Sequence, residues 1–69
     1  MKWGVETIVN EAARTVELKL QQVDENGPIK EYHSANYDMT FWSTRDEAVA
    51  NLNQVRASWQ QNVSYRVNG

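Results

Sequence analysis

Phe41-Trp42-Ser43-Thr44-Arg45-Asp46-Glu47-Ala48, with the periodic run that follows it to about Asn62, decides the fold of this chain. Thr44 and Glu47 form a T-x-x-E capping box, in which the Thr hydroxyl accepts from the Glu47 amide and the carboxylate reaches back to the amide of Thr44. Ser43 with Asp46 offers the same arrangement one residue earlier, so both starts stand. Two acids in the first turn suit the positive end of the helix dipole. Beyond the cap, Ala48, Leu52, Val55 and Trp59 recur at i, i+4, i+7 and i+11 and make one apolar stripe. The opposite face carries Ala50, Asn53, Gln54, Ala57 and Gln61, without Lys–Glu pairs to support it.

An amphipathic helix needs an apolar surface to lie on, and the residues before it supply one. Thr15 to Val23 alternates Val16, Leu18 and Leu20 with Glu17, Lys19 and Gln21, the pattern of a sheet with one wet face. Met1 to Val9 also reads as a strand, with Trp3, Val5, Thr7 and Val9 on one side and Gly4, Glu6 and Ile8 on the other. Both sides carry apolar residues, and the Trp3/Val5 side is the one expected inward. Asn10 to Ala13 joins the two as a turn, with a short helical turn as the alternative.

Asp24-Glu25-Asn26-Gly27-Pro28 is the strongest turn signal, Asn-Gly offering positive φ and Pro28 excluding itself from a ladder. Ile29 to about Phe41 is a third extended stretch. A bulge or break near Ala35-Asn36 would let Ile29 and Tyr32 face inward before it and Tyr37, Met39 and Phe41 after it. After the helix, Val63, Tyr65 and Val67 alternate with Ser64, Arg66 and Asn68, as a short strand or an ordered tail. The expected fold is therefore α+β in the order β-β-β-α(-β). It is a small antiparallel sheet of three strands, with a fourth as the alternative, and one amphipathic helix on one face.

Sixty-nine residues make one domain near the lower limit for a self-sufficient core. A core of that size rarely supplies more than roughly 3–5 kcal/mol unless a staple or a partner is added. The chain has no cysteine, which removes disulfides and thiolate zinc sites and fits a reducing cytosol. No apolar run approaches a membrane span and no signal-peptide core is present, so the reading is cytoplasmic, without a membrane partner. Asn62-Val63-Ser64 spells a glycosylation acceptor, read here as chance.

Chemistry finds little purchase. His33 is the single histidine, and its neighbour Glu31 makes a surface ion contact the simplest account of it. Asp24-Glu25-Asn26-Gly27 lacks the ligand spacing of a calcium loop. There is no nucleophile elbow or glycine-rich phosphate loop, and Asp46-Glu47 is already used by the cap. No catalytic residue, cofactor or metal ligand is assigned, and the chain is not read as an enzyme. No stretch of it carries the signature of a known family.

Seven aromatics remain: Trp3, Tyr32, Tyr37, Phe41, Trp42, Trp59 and Tyr65. Four fit core positions, leaving Tyr32, Trp42 and Tyr65 as interface candidates, because partly exposed Tyr and Trp are enriched at protein interfaces. The leading reading is a non-enzymatic interaction and regulatory module that forms a homodimer and binds another protein, with Tyr32 and Trp42 in one patch. The runner-up is a nucleic-acid-associated regulator using the sheet aromatics with Lys19, Lys30 and Arg66. The net charge of −2 and the lack of a basic stripe make nucleic acid the weaker choice.

Overall fold

A computed structural model describes residues 1–27 and 29–68 of the chain. The alternating segment from Thr15 forms strand β2 (Thr15–Val23), which pairs antiparallel with β1 (Lys2–Asn10). Val5 lies opposite Leu20, Thr7 opposite Leu18 and Val9 opposite Val16, so the Trp3/Val5 side of β1 and the leucine side of β2 make one surface, as expected. The joining turn is closed by the Asn10 side chain, whose Oδ1 accepts from the Ala13 amide at 3.0 Å. Arg14 then turns the chain back with φ of 57°, a left-handed conformation that a β-carbon makes unfavourable.

Helix α1 (Arg45–Gln60) begins at Thr44, which settles the choice against Ser43. The Thr44 backbone is extended, with φ −124° and ψ 155°, and its Oγ1 accepts from the Glu47 amide at 3.2 Å. The box closes differently from expectation on its second arm: the Thr44 hydroxyl donates to Glu47 Oε1 at 2.9 Å. Ala48 is fully buried and Leu52, Val55 and Trp59 are partly buried on the sheet, while Ala50, Asn53, Gln54, Ala57 and Gln61 face solvent.

The sheet is larger than expected and mixed: five strands in the order β3-β4-β1-β2-β5. The long third stretch does break near Ala35-Asn36, but as a hairpin between β3 (Tyr32–His33) and β4 (Tyr37–Trp42). Ser34 ties that hairpin, its amide donating to the Tyr37 carbonyl at 2.9 Å and its Oγ accepting from the Tyr37 amide at 3.1 Å. Strand β4 then pairs antiparallel with the free side of β1, placing Thr40 opposite Val5 and Asp38 opposite Thr7.

That register corrects the expected orientation. Asp38, Thr40 and Trp42 share the helix side with Thr7, Val5 and Trp3, and Tyr37, Met39 and Phe41 point to the other face. Tyr32, opposite Met39, lies on that other face and is 54% exposed instead of inward.

The last strand is the second correction. β5 (Arg66–Asn68) pairs parallel with β2, Thr15 opposite Arg66 and Glu17 opposite Asn68. The sheet is therefore not purely antiparallel. α1 carries the chain from β4 across β1 and β2 to the far edge, and a strand returning after such a crossover runs in the direction of the one before it. Val63 is not part of that strand; it sits in the preceding turn, 98% exposed. In the Asp24 turn, Asp24 Oδ1 accepts from the Asn26 amide at 2.9 Å and Gly27 does not enter the left-handed region, so the side chain of Asp24 makes the turn and positive φ does not. Pro28 lies outside the described residues.

Among the described residues the buried hydrophobic set is Val5, Val16, Leu18, Met39 and Ala48. The radius of gyration of 12.3 Å exceeds the roughly 11 Å of a compact 69-residue domain, and the shortest dimension is 15 Å. The described residues form a slab of one sheet and one helix, and none of them adds a covering layer on the second sheet face.

Candidate interaction surface

Residues whose side chains leave the helix side of the sheet build the uncovered face. From β4 come Tyr37, Met39 and Phe41, from β1 Gly4 and Ile8, from β2 Val23 and from β3 Tyr32. Met39 is only 8% exposed although no helix lies above it. Gly4 explains this: a β-carbon at that position would lie 2.8 Å from Met39 Cε and 3.4 Å from both Phe41 Cε1 and Val23 Cγ2. The missing side chain leaves a trough, and Met39 lies across it with Phe41 and Val23 on either side.

The apolar strip continues through the Tyr37 ring, which meets Tyr32 edge-on at 5.6 Å between centroids and 63° between planes. The Tyr37 hydroxyl donates to the Glu6 carboxylate, and that bond, followed by desolvation, raises the Tyr37 pKa above the ordinary phenol value. The rest of the face is polar and of both signs: Lys2 and Glu6 on β1, and Glu17 with Lys19 at 3.9 Å on β2.

The three interface candidates do not share this surface. Tyr32 belongs to it. Trp42 lies on the helix side, where its Nε1 donates to Thr40 Oγ1 at 3.0 Å and the Thr40 hydroxyl points toward Asn51 of α1 at 3.4 Å. Tyr65 stands before β5 and packs its ring on Trp59 at 5.1 Å. A single patch containing Tyr32 and Trp42 is not formed, because Tyr32 pairs with Met39, and Trp42, three residues beyond Met39 on β4, falls on the opposite face. The basic set is equally dispersed: Lys19 sits beside Glu17, and Arg66 is on the edge strand opposite the one that carries Tyr32. Sequence reading put Met39 and Phe41 on the inward side and gave Gly4 no role. The available signal was a glycine inside an otherwise bulky strand.

The helix side holds a second polar feature. Leu18, Thr7, Asp38 and His33 are successive register partners across β2, β1, β4 and β3. His33 Nδ1 is 2.5 Å from Asp38 Oδ1 and Nε2 is 3.3 Å from Glu31 Oε2. The bond to Asp38 first, and that to Glu31 second, raise the His33 pKa above its usual value. Both ring nitrogens face a carboxylate oxygen, an arrangement that favours the protonated imidazolium. The Glu31 contact is the one expected from sequence. Asp38 was not foreseen, because only the Ala35-Asn36 hairpin brings it opposite His33.

Next to this pair the Thr7 hydroxyl is buried without a hydrogen-bond partner among the described residues. A groove of about 190 Å³ opens beside it between α1 and the sheet. Among the described residues no group of three or more His, Cys, Asp or Glu is placed to hold a metal ion, and no helix is long and apolar enough to cross a membrane. The chain matches no protein-family model, no curated protein and no solved structure.

Proposed function

We propose that the chain is a non-enzymatic protein-interaction module of regulatory type whose partner surface is the uncovered sheet face, and that a second copy of the chain is its first partner. The observation that carries this reading is the apolar strip of Tyr32, Tyr37, Met39, Phe41 and Val23 over the Gly4 trough. A half-wet antiparallel sheet ordinarily presents polar residues outward, and a contiguous apolar strip on an uncovered face marks a binding surface. The charged residues beside the strip are two lysines and two glutamates, so two copies can approach by a two-fold axis without net repulsion. A small core without covalent staple gains stability from such a partner by mass action.

Light scattering of the purified chain from low to high micromolar concentration tests the proposal, together with thermal melts over the same range. A dimer mass and a melting temperature that rises with concentration are expected. Tyr32→Glu, at an exposed position, should shift the mass toward monomer while the chain stays folded. A monomer mass throughout, with a melt independent of concentration, would overturn the dimer. The nucleic-acid alternative predicts a salt-dependent mobility shift of labelled single-stranded RNA or DNA by the monomer.

A further inference from the structure

We infer that the groove between α1 and the sheet is a binding site for an ammonium or guanidinium group carried on a short apolar stem. It opens on the helix side of the sheet, shares only Tyr37 with the proposed dimer face, and does not rest on that reading. Val9, Ala35, Val55 and Trp59 line it together with Asp38 and Thr7, and Ser34 and Tyr37 of the β3–β4 hairpin complete it. Three observations define the ligand.

The first is charge. Asp38 is the one ionised group lining the groove, and His33 is its one side-chain partner among the described residues. With Glu31 also bonded to His33, two carboxylates share one imidazolium, and the cluster keeps an excess negative charge. The second is Thr7, 4% exposed, whose hydroxyl has no hydrogen-bond partner among the described residues. A buried hydroxyl without a partner is unfavourable, and a donor in the groove would relieve that once the Thr7 side chain turns its Oγ1 toward it. The third is shape. About 190 Å³ falls below the roughly 300–1,000 Å³ of small-molecule pockets and suits a group the size of one side chain.

An anion is repelled by Asp38, and a neutral apolar group would strip water from Asp38 and Thr7 without replacing its bonds. A cation on an apolar stem satisfies all three features, its head near Asp38 and Thr7, its stem against Val9 and Val55, and the indole of Trp59 adding a cation–π contact. His33 competes for Asp38, so its removal should strengthen binding.

Titration of the ¹⁵N-labelled chain with n-butylammonium chloride tests this, against n-butanol and against sodium chloride at equal ionic strength. Saturable shifts are expected at the Thr7 and Asp38 amides and the Trp59 indole N–H, for the ammonium alone. Asp38→Asn should weaken the half-saturation point by tenfold or more, and His33→Gln should tighten it several-fold. Opposite responses from two residues in contact separate ligand binding from a general loss of structure. A blocked lysine tripeptide binding more tightly than butylammonium would assign the groove to a polypeptide's basic side chain; the reverse order would assign it to a free amine. Equal shifts with n-butanol would reduce the groove to a packing gap and overturn the proposal. So would unchanged ammonium binding in Asp38→Asn, or weaker binding in His33→Gln.

Discussion

Asp38 and Thr7 are register partners on adjacent antiparallel strands and face the helix together, yet the Asp38 carboxylate bonds outward to His33 and leaves the Thr7 hydroxyl buried alone. The polar end of the row is satisfied at the sheet edge, where water also reaches, and the inner end is not. Such an arrangement trades stability for a prepared polar position.

Thr7→Val should therefore stabilise the chain, by about 1 kcal/mol, since an unpartnered buried hydroxyl costs roughly 1–3 kcal/mol. Denaturant midpoints measure this directly. The same variant should bind butylammonium less well. A lower midpoint than wild type would show that the hydroxyl has a bonding partner in solution.

The pH dependence follows from His33, whose pKa the Asp38 and Glu31 carboxylates raise in the folded chain. A group with a raised folded pKa contributes stability that is full below its unfolded value near 6.5 and is lost as pH rises through the folded value. Unfolding midpoints should fall between about pH 6 and the pH at which folded His33 titrates. The difference between wild type and His33→Gln isolates this residue from the amino terminus. A difference that is flat across that window, or that grows toward high pH, would contradict the assigned ion contacts.

Thr44→Ala removes the acceptor for the Glu47 amide and the donor to its carboxylate. The expected loss is about 1 kcal/mol, the usual magnitude for an N-cap side chain. Ser43→Ala, one residue outside the cap, should be close to silent. The reverse order in urea denaturation would move the helix start.

Gly4→Val places two methyl groups where even a β-carbon would approach Met39 Cε to 2.8 Å. Displacing Met39 and its neighbours should destabilise the fold by about 1–3 kcal/mol, despite the better strand propensity of valine. Gly4→Ala should do much less, because the end of a methionine moves easily. A stabilised Gly4→Val variant would mean that the trough is empty in solution.

Trp59→Ala breaks the helix stripe and the ring contact with Tyr65. Because Trp59 is only partly buried, the loss should be about 2–3 kcal/mol, below the roughly 3–5 kcal/mol of a fully buried aromatic. In a core this small that leaves little folded protein, whereas Gln54→Ala on the exposed face should change nothing measurable. Comparable losses from the two variants would place the wrong side of the helix on the sheet.

The elements that local chemistry specifies were legible in the chain. The Thr44 cap, the helix stripe from Ala48 to Trp59 and the bounds of β2 follow from hydrogen-bonding side chains and period, and the structure realises them. The break near Ala35-Asn36 was visible for the same reason, as polar residues interrupting an alternation. What alternation cannot say is which of two faces is covered. Tyr37, Met39 and Phe41 were certain to share a side, but only the pairing of Thr40 with Val5 decided that it was the side without the helix.

The parallel return of β5 was likewise set by the path of α1 over the sheet, and the segment around Val63 shows no local trace of it. Asp38 and His33 are five residues apart with opposite parity in an unbroken strand, and a two-residue turn makes them partners. Sequence determined the elements and which residues within each would act together. The tertiary structure decided which of those sets face one another, because strand register and crossover path depend on contacts between segments distant in the chain.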